Sequence, residues 1–274
     1  MVKVLLGCDP ELFVRNPNSK AYISAHNMIT GTKDHPQFVK DGMVQVDGTA
    51  LEFGIDPASN EDEWVSRINS VTGQLRQMID PGYEIVGHAT ATFEPAYFEA
   101  LPRYAKELGC EPDYNAWSGD QNVRPKGDRP FRTGAGHIHI GWTQDQDPRD
   151  FNHFEKCREV ARQMDYYLGI QSLLWDKDSS RRELYGKAGA FRPKPYGVEY
   201  RTLSNAWVNN ELLMRWVYRA ALKGATELLV NQKDAATEYG TLARDIIDNN
   251  VVDWQSKNKI ELGLVNPPTP RMAA

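Results

Sequence analysis

Gly136-His137-Ile138-His139-Ile140-Gly141-Trp142 alternates polar and apolar residues with the period of a half-buried β-strand, so both imidazoles share one face while Ile138 and Ile140 point into a core. Two other strand-like stretches carry chemistry-bearing side chains at the same i, i+2 spacing: Asp9 with Glu11, and Glu199 with Arg201. Three such pairs, far apart in sequence, cost desolvation unless cations or anions compensate them. A polar sheet face that holds divalent metal and phosphate accounts for all three.

Outward from these pairs the chain reads as mixed sheet and helix. Residues 2–6 form a strand that runs on into 12–15, and 43–46 with 51–55 form a hairpin around Asp47-Gly48. From Asn60 the period changes: Trp64, Val65, Ile68, Val71 and Leu75 make a helical stripe closed by Asp80-Pro81-Gly82, expected to cover the apolar sheet face. Strands are expected again at 83–86 and 89–93. The Pro- and Gly-punctuated stretch 95–132 is expected to form loops lining a cleft, with only 103–108 helical. One long helix is expected over 150–175, a loop and then a strand over 181–201, a second long helix over 209–230 and a weaker one over 236–248. These elements make one α+β domain over 1–265, followed by a flexible Pro-rich tail over 266–274.

Composition narrows the functions. With 274 residues, 41% of them hydrophobic, the chain can build a substantial core, and its net charge of −5 argues against a general nucleic-acid binder. Cys8, Cys110 and Cys157 are an odd set with no Cys-x-x-Cys pair, which argues against a disulfide framework and for a reducing cytoplasm. The apolar run at the N-terminus ends at Asp9-Pro10-Glu11, too short for a signal peptide or a membrane span.

Asp9-Pro10-Glu11 puts two carboxylates at a strand end within about 7 Å of each other, a separation suited to neighbouring magnesium or manganese ions. Glu52 lies in an apolar run where an unpaired carboxylate is expensive, which makes it a candidate ligand; Asp47, at the hairpin corner, is a further candidate or a turn former. His137 and His139 suit a metal, a substrate, or hydrogen bonds across the sheet. Arg181, Arg182, Lys187, Arg192, Lys194 and Arg201 gather against only Glu183 and Glu199, an anion site in an acidic protein. Guanidinium forks favour phosphate there, triphosphate above all.

Gly7-x-Asp9-Pro10-Glu11, the hairpin from Asp47 to Glu52, Gly136-His137-Ile138-His139-Ile140-Gly141, and Arg192 followed by Gly197-Val198-Glu199-Tyr200-Arg201-Thr202-Leu203-Ser204-Asn205 resemble, in this order over residues 4–210, the amidoligases of the glutamine synthetase and glutamate-cysteine ligase superfamily. More narrowly, the chain is similar to the phage-encoded carboxylate-amine ligases, which implies the host cytoplasm. The resemblance implies a curved antiparallel sheet, backed by helices, whose concave face binds ATP and two or three magnesium ions, with manganese as an alternative. It implies Glu11, Glu52 and Glu199 as metal ligands with Asp9 nearby, and one of the two histidines close to metal or phosphate; His139 is set on the metal and His137 on the phosphate. Arg192 and Arg201 would hold the transferred phosphoryl group, with Glu199 beside them, and Arg182, Lys187 and Lys194 would support them. The implied reaction moves the γ-phosphate of ATP onto a small-molecule or peptide carboxylate, and an amine then attacks the acyl phosphate. Replacing Glu199 by Gln is expected to abolish transfer while the fold survives.

Two rival readings remain. A metal-dependent amidohydrolase uses His-x-His on a strand, but no histidine follows His153 here and regular β/α alternation is missing. A ligase-like fold turned binding or structural protein retains the same residues without turnover.

Overall fold

In the computed structural model the described residues are 3–106, 113–123 and 129–268. Cys110, the end of the helix expected over 103–108, and residues 269–274 of the expected tail lie outside them. Thirteen strands are found in the described residues: β1 (Leu5–Cys8), β2 (Glu11–Arg15), β3 (Tyr22–Ile23), β4 (Gln37–Val39), β5 (Gly42–Asp47), β6 (Ala50–Ile55), β7 (Glu84–Val86), β8 (Thr90–Thr92), β9 (Tyr114–Asn115), β10 (Phe131–Thr133), β11 (Ile138–Gly141), β12 (Ala190–Lys194) and β13 (Gly197–Tyr200). All the pairings between them are antiparallel, so the fold is mixed α and β with antiparallel sheets.

One sheet runs β1-β11-β13-β12-β9 and another β3-β2-β6-β5-β4, with β7 also on β2. Register fixes which residues stand side by side. Cys8, Ile138, Tyr200 and Phe191 form one cross-strand row, and all four are buried. The next row, on the opposite face, is Gly7, His139, Glu199 and Arg192. The pleat thus separates a wholly apolar core row from a polar one, as alternation in the sequence requires.

In the second sheet the equivalent row is Glu11, Glu52 and Gln45. Asp9-Pro10 joins the two sheets: Pro10 offers no N–H to a ladder, and its carbonyl accepts from Phe53 N at 3.2 Å. The β5–β6 hairpin closes through Gly48-Thr49, with Gly48 at φ +59°, a conformation glycine reaches without steric cost.

Helices cover the apolar faces. Glu61–Met78 starts where Asn60 accepts from Glu63 N, and it buries Trp64, Val65, Ile68, Val71 and Leu75 against β5, β6 and the helix Glu211–Leu229. Helix Phe151–Met164 packs on β12 and β13, capped by Asp150. Trp64 stacks on Trp207 with ring centres 5.7 Å apart at the centre of this core.

Several expected elements differ. The helix expected over 150–175 changes at Asp165–Gly169 to a π turn before resuming at Ile170–Ser172, where buried Asp165 accepts from Trp117 Nε1 at 2.6 Å and Tyr200 Oη at 2.7 Å. The helix expected over 236–248 is two, Ala235–Tyr239 and Leu242–Asp248, divided at Gly240. Stretch 95–132 holds a helix at Pro95–Glu99 that Glu94 caps, and Ser180–Leu184 is helical rather than loop. Among the described residues no helix is long and apolar enough to cross a membrane.

The close approach of residues 134–136 to the 203–205 segment is sterically exacting. A Cβ at Gly136 would lie 2.3 Å from Ser204 O and 2.6 Å from Trp207 Nε1, and Trp207 Nε1 donates to Gly136 O. Gly136→Ala is therefore expected to destabilise the fold by about 1–3 kcal/mol in urea unfolding, the usual cost of overpacking, whereas an unchanged midpoint would show that this junction yields freely.

Candidate active site

Where the two sheets meet, side chains from both line one cavity. Asp9, Glu11, Asp47, Glu52 and His137 line it on the acidic side, and Arg132, Arg181, Arg192, Arg201 and Lys33 bring positive charge, with Phe13, Ala50, Ala135 and Tyr185 between. Residues from segments 9–13, 33, 47–52, 132–137, 181–185 and 192–201 thus converge. Glu11 is the best anchored: its N donates to Ala135 O at 2.8 Å, its Oε2 accepts from Ala135 N at 3.0 Å, and Asn205 Nδ2 donates to its carbonyl at 2.5 Å.

The acidic trio Glu11, Asp47 and Glu52 is crowded. Burial and then the neighbouring charge of Asp47 push the Glu11 carboxyl up to about 7 from its ordinary 4.5. Burial, followed by the charges of Asp9, Asp47 and Glu11, raises Glu52 well above its usual range despite a hydrogen bond from Gln45 Nε2 at 2.9 Å. Among the described residues neither Glu11 nor Glu52 has an ion pair; Asp47 pairs with Lys33 at 2.7 Å. Hard oxygen donors this close together and short of positive charge suit magnesium or manganese.

Glu199 is the opposite case. It is wholly buried, yet it lies 3.2 Å from Arg192, 3.0 Å from Lys194 and 3.3 Å from His137, and it also pairs with Arg201. Burial works to raise its carboxyl, but Arg201, His137, Lys194 and Arg192 hold it well below the carboxylate range. Arg201 also pairs with Asp113 at 3.2 Å. Removing the Glu199 charge would take a shared counter-charge from Arg192, Lys194 and Arg201 in the interior, at a cost of about 3–5 kcal/mol. The expectation that Glu199→Gln spares the fold is revised accordingly.

The histidines divide differently from expectation. His137 lies 3.2 Å from Asp9 Oδ1 and 3.3 Å from Glu199 Oε1, and these three residues are a group with the geometry to hold a metal ion. His139 stands beside them, with Nε2 3.1 Å from Asp9 Oδ1 and Nδ1 2.5 Å from Tyr196 Oη, but it does not line the cavity. Burial and then Arg201 lower the His137 pKa; burial works to lower that of His139 as well, but Asp9 raises it. Asp9, although buried, is held below the carboxylate range by His139 and His137. Of the two imidazoles, His137 is the one that belongs to this metal-capable group among the described residues.

Three residues of the basic run do not line the cavity, and Lys194 among them is turned to Glu199. Lys187 is exposed beside Asp248, and Arg182 turns away to Asn250 Oδ1 at 2.9 Å and Asp176 at 3.9 Å. Arg181 takes the position expected of Arg182. Its Nη1 and Nη2 donate to Thr202 O and Leu203 O at 2.7 and 2.8 Å, which clamps the chain just beyond Arg201. A loop-dependent offset of one residue on a short helix swings a side chain by about 100°, and the sequence holds no sign of it. Lys33, Arg132, Asp113 and Tyr185 were not singled out as site residues either; of these only Arg132, in a strand-length alternation at 131–133, leaves a trace in the sequence.

No curated protein matches the chain. A solved structure described as a novel glutamine synthase homolog is similar at 13% identity and a TM-score of 0.38, over 92% of this chain and 64% of that chain. This chain therefore spans less than two thirds of that protein's length. Residues 128–243 match the family described as phage phiEco32-like COOH.NH2 ligase-type 2, a carboxylate-amine ligase family, and the match takes in His137, His139, Arg192, Glu199 and Arg201. The resemblance read from the sequence is thereby borne out for this stretch: residues 128–243 are similar to the phage phiEco32-like carboxylate-amine ligases of type 2.

Proposed function

We propose that the protein is an ATP- and magnesium-dependent carboxylate-amine ligase that forms an amide bond through an acyl phosphate. The observation that carries this reading is the division of charge in one cavity, with the under-compensated trio Glu11, Asp47 and Glu52 facing Arg181, Arg192 and Arg201. Glu11 and Glu52, with Asp47 as a third donor and the Asp9–His137–Glu199 group beside them, would hold divalent ions. When bound, these ions would neutralise charge on the phosphates of ATP.

The chain's own groups account for the remaining needs of the reaction. Arg192 and Arg201 present forked donors that suit the equatorial oxygens of a phosphoryl group in transit, and Glu199 fixes both guanidinium groups so that little reorganisation is needed. Lys194 holds the same carboxylate from the other side. Arg181 positions the backbone after Arg201 rather than the substrate. The carboxylate and amine substrates are small molecules or peptides, and nothing in the net charge of −5 favours nucleic acid.

Turnover is tested by measuring ADP released from ATP and magnesium across mixtures of carboxylates and amines. Substrate-dependent ADP formation is expected, and its absence with every mixture would favour a ligase-like binding protein. Glu52→Gln removes one member of a mutually repelling trio, so it is expected to raise the unfolding midpoint of the metal-free protein while abolishing ADP formation. A variant that keeps full turnover would remove Glu52 from the site. Arg201→Lys is expected to lose about 100-fold or more in kcat, because a point charge does not replace a planar fork.

Metal binding should depend on pH with a definite sign. The Glu11 carboxyl keeps its proton in the folded protein up to about 7 but loses it near 4.5 when unfolded. Between these values the unfolded chain binds fewer protons, so the metal-free protein loses stability as pH rises. A divalent ion binds the deprotonated carboxylates and relieves that loss. Manganese is therefore expected to raise the melting temperature by several degrees at about pH 8 and little at about pH 5. Equal shifts at both values would count against carboxylate ligands with raised pKa.

A further inference from the structure

Lys33 has no part in the scheme above, yet it lines the same cavity. It lies on a turn outside the strands, closed by reciprocal backbone hydrogen bonds between Thr32 and His35 at 3.0 and 3.1 Å. The turn is fastened to β5 where Val46 N donates to Gly31 O at 3.0 Å, one residue before Asp47. From this fixed base the side chain reaches back so that Nζ lies 2.7 Å from Asp47 Oδ2, within the electrostatic reach of Glu52 and Glu11. The stem stays half exposed, with 50% of the side chain accessible against 18% for Asp47.

We propose that Lys33 is a tethered cation that competes with the divalent ion for the acidic trio and so sets the protein's metal affinity. The inference rests on the reading of Glu11, Asp47 and Glu52 as metal ligands. An ammonium 2.7 Å from an Asp47 oxygen and a divalent ion on that same oxygen repel each other, so the two states exclude one another. The competition is mild, because an ion pair open to water carries an equilibrium weight of only about 1–4. Metal binds only while the trio is free, so apparent affinity is lowered by about two- to fivefold. The divalent ion brings twice the charge and several oxygen bonds, so at saturation it displaces Lys33 into solvent, and the exposed stem offers no packing resistance. The same ammonium shields the trio while no metal is bound.

Manganese binding by titration calorimetry to full-length wild type, Lys33→Met, Asp47→Asn and the double variant tests this. Lys33→Met is expected to bind manganese two- to fivefold more tightly than wild type, and the gain is expected to vanish in the Asp47→Asn background, where the tether's partner is gone. An unchanged affinity in Lys33→Met overturns the proposal. So does a gain that persists at full size in Asp47→Asn, because it would reflect the general field of a missing charge. A second readout stands where Asp47→Asn binds no metal: acylation of the Lys33 amine, followed by mass spectrometry, is expected to rise several-fold as manganese saturates wild type, and a constant or falling rate overturns the proposal. If wild type and Lys33→Met both fail to bind manganese, the metal-site reading itself falls, and the role of Lys33 falls with it.

Discussion

Glu199 is the carboxylate on which the site is built. Buried in the middle strand of a sheet, it would be prohibitively costly alone, and it persists because Arg192 from the next strand, Arg201 from its own, Lys194 from the hairpin and His137 from the strand opposite all turn toward it. The contacts place two guanidinium groups at the mouth of a cavity in fixed orientation. They also make the strand pairing β11-β13-β12 a condition of the chemistry, because a one-residue slip would turn Glu199 into the apolar row of Cys8, Ile138, Tyr200 and Phe191.

Charge is deliberately unbalanced between the two halves of the cavity. Around Glu199 gather Arg192, Lys194 and Arg201, whereas Glu11, Asp47 and Glu52 face each other with Lys33 as their ion-pair partner among the described residues. The crowding of Glu11, Asp47 and Glu52 lowers the stability of the free protein. Such segregation of charge agrees with the carboxylate-amine ligase family matched by residues 128–243.

Beneath the site, the π turn at Asp165–Gly169 shows how the supporting layer is tied to it. Asp165 accepts from Tyr200 Oη, and Tyr200 stands between Glu199 and Arg201 in the chain. Its carboxyl is pushed up to about 7 by burial, as expected where its hydrogen-bond donors, Tyr200 and Trp117, are neutral and Asp248 is the neighbouring charge. Nothing in the spacing of 150–175 distinguishes this turn from ordinary helix, because its apolar residues keep helical period through the change.

The sequence by itself determined what alternation can determine. His137 with His139, Asp9 with Glu11 and Glu199 with Arg201 were assigned common faces, and the hairpin at Asp47-Gly48 and the stripe from Trp64 to Leu75 were legible because strand and helix periods are local properties of the chain. Only the tertiary structure decided which faces meet and which member of each pair points inward. It put His137 with Asp9 and Glu199 in the group that could hold a metal, set Arg181 rather than Arg182 behind Arg201, and brought Lys33 and Asp113 from segments with no periodic signal. The reason is physical: a period fixes the side of a strand or helix, but the partner across a cavity depends on loop lengths and on the twist between sheets, and no short stretch of sequence encodes these.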